Sequence, residues 1–141
     1  MILRTASLSA LALLLPVLIG CGNNLSLRPV EGTVRLDGQP LAGAEVIFRP
    51  ENGRPSLGVT DAQGKYTLRY SADELGALVG KHKVSISTSG EAAETGAEDA
   101  PSGKKVEKVP AQYNSKSTLE VTVDSSDAPI DFDLQSSPSG G

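Results

Sequence analysis

From Pro29 onward, apolar and polar residues alternate with a period of two, the mark of strands with one buried face. Val30, Gly32, Val34 and Leu36 share one face, and Glu31, Thr33, Arg35 and Asp37 share the other. Asp-Gly-Gln-Pro at 37–40 reads as a turn, because Gly38 tolerates positive φ and Pro40 fixes its own. Ala44, Val46 and Phe48 then alternate with Glu45, Ile47 and Arg49 until Pro50 stops the run. Residues 50–56 form a loop, 58–60 a short strand, and Asp-Ala-Gln-Gly at 61–64 a second turn. There Asp61 can bond the backbone two residues on, and Gly64 suits a left-handed position.

The alternation continues with Tyr66, Leu68 and Tyr70 inward, and later with His82, Val84 and Ile86. Between them, Ser71 and Glu74 have capping-box spacing, which predicts a single helical turn near 72–76 ended by Gly76. Residues 89–105 hold no Val, Leu, Ile or aromatic residue and read as a long solvated loop. Leu119, Val121 and Val123, then Ile130, Phe132 and Leu134, mark two closing strands. The pattern predicts an all-β domain of about seven strands, an antiparallel β-sandwich, over residues 29–134. The tail 135–141 is expected to be disordered.

The first twenty residues break the pattern. Arg4 is followed by an apolar run from Ala6 to Ile19, too short to suit a permanent membrane span, and the reading is a secretory signal at 1–20 whose apolar stretch is helical. Cys21, the only cysteine, comes next, and the chain turns polar through a tether to residue 28. A disulfide within the chain is excluded. A reactive thiol would need a base and an ordered pocket, which the edge of a leader does not offer.

Composition narrows the function. The 141 residues fit one domain, and 38% hydrophobic content supports one modest core. The net charge is −4. Without Arg4, twelve cations face seventeen acidic groups, leaving −5 on the mature chain. Such a chain lacks the basic surface that nucleic acid requires.

Candidate chemistry is sparse. His82 is the only histidine, falls at an inward strand phase, and reads as a packed core residue without a catalytic partner. Ser85 and Ser87 sit on a polar strand face with nothing to activate them, and no G-x-S-x-G occurs. Two acidic groups, Glu91, Glu94, Glu98 and Asp99, then Asp124, Asp127, Asp131 and Asp133, lack the spacing of a calcium loop and read as solvated edges. Tyr113 alone among the aromatics lies outside a clear strand, and is a candidate for ligand contact or a cap on the core beside Pro110. No catalytic residue, metal site or cofactor is expected.

Two resemblances add to this. Leu18-Ile19-Gly20-Cys21 resembles the lipobox of bacterial lipoproteins, which implies cleavage before Cys21 and a lipid on its thiol. An ordinary cleaved signal with an incidental cysteine is the alternative. Gly22 in place of Asp implies the outer membrane, facing the periplasm. Further along come V-E-G-T-V (30–34), D-G-Q-P-L-A-G-A-E-V-I-F (37–48), T-D-A-Q-G-K-Y-T-L (60–68) and G-K-H-K-V-S-I (80–86). Together these resemble a carboxypeptidase regulatory-like domain of the transthyretin-like type. The ending V-P-A-Q-Y-N-S-K-S-T-L-E-V-T-V with I-D-F-D-L is similar to small planctomycete-type lipoproteins.

That likeness implies a prealbumin-like sandwich and no activity. Zinc carboxypeptidases need two His and a Glu, and transthyretin-like hydroxyisourate hydrolases need several His; one His satisfies neither. The expectation is a lipid-anchored, non-catalytic envelope protein, a structural or protein-docking module, with an envelope glycan- or peptide-binding module as the alternative. Its partners are then the membrane, through Cys21, and envelope proteins or glycans.

Overall fold

The computed structural model describes residues 26–90, 106–126 and 128–137. The signal at 1–20, Cys21 and most of the 89–105 loop lie outside these residues, as do Asp127 and the last four positions. Ten strands are present among the described residues: β1 (Leu27–Arg28), β2 (Glu31–Leu36), β3 (Gln39–Pro40), β4 (Glu45–Pro50), β5 (Ser56–Val59), β6 (Lys65–Thr67), β7 (Ala77–Leu78), β8 (Gly80–Ser87), β9 (Leu119–Val123) and β10 (Phe132–Leu134). A short 3-10 helix covers Ala111–Tyr113.

The architecture is all-β and sandwich-like. One sheet has β2 at its centre, flanked by β10 on one side and by β3 and β6 on the other. The second runs β5-β4-β8-β9, antiparallel throughout. Inward residues of both meet in one core: Val30, Val34, Tyr66 and Phe132 from the first, Val46, Phe48, Val84 and Ile86 from the second. The ring of Phe48 lies 6.1 Å from Phe132, edge-on, and 6.4 Å from Tyr66. Fully burying such side chains contributes roughly 1.5–3 kcal/mol each.

The turns form as the residues dictate. Asp37 and Gly38 take φ of 51° and 80°, a two-residue hairpin loop whose hand suits twisted strands. Asp61 Oδ1 accepts the N–H groups of Gln63 and Lys65, both at 2.9 Å, and Gly64 adopts φ 77°. Gly32 is required for space, since a Cβ there would stand 1.9 Å from the Ile130 carbonyl oxygen.

Several expectations need correction. The sandwich is not purely antiparallel, because β10 pairs parallel with β2, Phe132 opposite Val34. Residues 72–76 do not form a helical turn. Ser71 Oγ does reach Glu74 Oε2 at 3.1 Å, but Arg69 bridges to both Leu57 and Leu75, so the backbone extends the sheet. A lone helical turn is costly to nucleate, and strand pairing wins. Tyr70 is only half-buried and lies under the Arg54 guanidinium, 5.5 Å from ring to cation.

Leu27 and Arg28, read as the end of the tether, pair with Leu78 and Ala77. Gln135 and Ser136, read as disordered tail, donate backbone N–H groups to the Tyr113 hydroxyl and to Asp37 Oδ1.

Candidate functional site

One concave surface lies at the end of the sandwich where β1 joins β7. Pro50 ends β4, and the loop after it folds back so closely on β7 that a Cβ at Gly53 would stand 2.6 Å from the Leu78 side chain. β1 then joins β7, and the Val79 N–H donates to the Ser26 carbonyl at 2.9 Å. These elements enclose an open cleft of about 450 Å³ lined by Ser26, Glu51, Asn52, Val79 and Lys81 among others. A second cleft of about 290 Å³ shares Pro50, Glu51 and Lys81 and adds Arg49, Lys83 and Glu120. Two exposed apolar side chains bracket β7, Leu75 at 52% and Val79 at 48%.

His82 lines the second cleft but is only 2% exposed. Its Nε2–H donates to the Leu78 carbonyl at 2.7 Å, which fixes the tautomer. Its ring centroid is 5.7 Å from that of Phe48. Among the described residues neither its Nδ1 nor Ser56 Oγ has a hydrogen-bond partner, and both are buried. Among the described residues this ring positions neither serine of its strand: Ser85 Oγ accepts from Arg49 at 2.7 Å, and Ser87 Oγ donates to Glu107. The histidine ties β8 to the β7 carbonyl and fills the core.

Tyr113 lies in the 3-10 helix, half-buried, and packs on the core. Its N–H donates to the Pro110 carbonyl, and its hydroxyl accepts from the Gln135 N–H at 3.3 Å. It lines neither cleft. The three described members of the second acidic group have separate partners: Asp131 Oδ1 accepts the Thr33 N–H, Asp133 faces Arg35 at 3.5 Å, and Asp124 caps Ser126. Among the described residues, no group of three or more His, Cys, Asp or Glu converges to hold a metal ion. The first acidic group, Glu91 to Asp99, lies outside them.

The polar feature that sequence reasoning missed is Glu107. Its Oε1 accepts the N–H groups of Thr88 (3.0 Å) and Val109 (2.9 Å), and its Oε2 accepts from Ser87 and Ser89. Thr88 Oγ1 completes the knot by donating to the Val106 carbonyl and accepting the Lys108 N–H. Partial burial acts to raise this carboxyl, but the surrounding donors outweigh it and hold the group down at about 2. The knot ties residues 87–89, at the end of β8, to residues 106–109. Nothing in its sequence marks Glu107 out from the other acidic residues nearby.

Tyr66 shows the opposite shift. Burial, with a smaller contribution from the Asp131 charge, raises its hydroxyl well above the usual range, and that hydroxyl donates to the Ile130 carbonyl at 2.6 Å. It is a structural tie between β6 and the strand entering β10. The described residues thus offer a clefted, partly apolar end and no assembled reactive group. Comparison with protein-family models, with curated proteins and with solved structures found no match.

Proposed function

We propose that this chain is a lipid-anchored envelope protein whose β-sandwich, of the transthyretin-like type, docks other proteins and catalyses nothing. The observation that carries the reading is the closeness of the Leu-Ile-Gly-Cys motif to the first strand. Only Gly22 to Leu25 separate Cys21 from Ser26, where the described fold begins. Five residue steps span at most about 17 Å. A lipid on Cys21 therefore holds the sandwich against a membrane as a short-leashed module. Two or more acyl chains on one residue give the firm attachment that a single chain does not.

The route to partners is an edge strand. Among the described residues β9 pairs only with β8, so its outer edge presents backbone groups to which another chain can add a strand. Glu120 and Thr122 project from β9 as exposed polar residues, which suits a reversible contact.

A photo-reactive residue in place of Glu120, in cells making the anchored protein, is expected to capture a recurrent envelope protein. The same probe at exposed Asp61, remote from β9, should not. Equal capture at both positions, or none at Glu120, would remove the docking reading.

A further inference from the structure

Leu75 and Val79 are exposed, yet they flank the strand that receives the entering chain. Gly76 packs so tightly under β1 that a Cβ would stand 2.1 Å from the Arg28 carbonyl oxygen, and Val79 is hydrogen-bonded to Ser26. Gly76, next to Leu75, and Val79 itself thus sit against Arg28 and Ser26, the described residues nearest Cys21 in the chain. We propose that this end of the sandwich rests on the phospholipid surface, with Leu75 and Val79 seated among the headgroups. The inference rests on the lipid-anchor reading and adds an orientation to it.

Geometry supplies the first argument. A leash of about 17 Å from an acylated residue keeps Ser26 close to the headgroup layer, which is only some 5–8 Å deep on each side of the hydrocarbon. The second is effective concentration. An apolar contact too weak to hold a free protein is sufficient once the chain is already tethered beside the surface. The third is charge. Glu51 and Lys81 both line the cleft at this end and Arg28 lies in β1, so charges of both signs are present. The occupant is thus a zwitterionic phospholipid surface, and contact does not depend on anionic lipid.

The chain has no tryptophan, so a single introduced one reports its own position. The lipidated full-length protein would carry Val79→Trp, or as control Val59→Trp. Val59 is 61% exposed on the outer face of β5 and pairs with Glu45, at the end of β4 opposite Pro50. Each is reconstituted into phosphatidylcholine vesicles bearing bromine near the headgroup end of the acyl chains. Emission from Trp at 79 is expected to fall about twofold or more and shift to the blue, while Trp at 59 keeps its emission.

If both float with vesicles and neither is quenched, the sandwich hangs free; the orientation is overturned and the anchor stands. Equal quenching at both positions would also overturn it, since the tryptophan and not the site would be binding. If the protein carries no lipid and does not float, anchor and orientation fall together.

Discussion

Glu107 is an exposed carboxylate with an unusual number of donors around it, four residues contributing to two oxygens. Its folded value near 2 lies below the ordinary 4.5, so the stabilisation it gives is present above about pH 4.5. That stabilisation is lost as pH falls through about 2. Discounted for solvent screening, the contribution is roughly 1–2 kcal/mol at neutral pH. Urea unfolding of Glu107→Gln should show that deficit at pH 7 and converge on the parent near pH 2. A constant difference across the range would show that the charge is irrelevant. His82 makes a different kind of contribution. His82→Ala removes a buried ring and strands the Leu78 carbonyl, and is expected to cost about 3 kcal/mol in the same assay. A loss below about 1 kcal/mol would mean that the ring is not part of the core.

At the level of elements, the small β1–β7 pair ties the first described residues to the sandwich. Gly76 has φ 106° and no room for a side chain against Arg28. Gly76→Ala should strain that backbone by about 1–3 kcal/mol and release β1. Amide exchange at Leu27 and Val79 is then expected to speed up while β4 and β8 stay protected. Uniform acceleration through the sandwich would instead show that β1 is integral to the global fold.

The elements also show what the chain made readable. Strands such as β4 and β8 bury alternate residues, so Val46, Phe48, Val84 and Ile86 were legible as core from their spacing alone. Direction was not legible, because a period of two reports which face is buried and says nothing about whether β10 runs with or against β2. Two-residue strands such as β1, β3 and β7 leave no periodic trace, and the count of strands exceeds the seven read from the alternation. The capping-box spacing at Ser71 and Glu74 gave a local contact without a helix, because Arg69 was committed to its neighbours on both sides. The Glu107 knot depends on residues 87–89 and 106–109 meeting in space, which no local pattern encodes.

For the whole molecule, the proposed docking role and orientation rest on one premise, that Cys21 bears lipid. The leash from Cys21 to Ser26 is short, the sandwich is all-β, and no helix among the described residues is long and apolar enough to cross a membrane. The premise is tested most directly by the intact mass and membrane partitioning of the natively expressed protein beside a Cys21→Ser variant. The account predicts a chain that has lost residues 1–20, gained the mass of acyl chains and pellets with membranes, while the variant gains none. A free thiol at Cys21 on a protein that stays in the soluble fraction would contradict it.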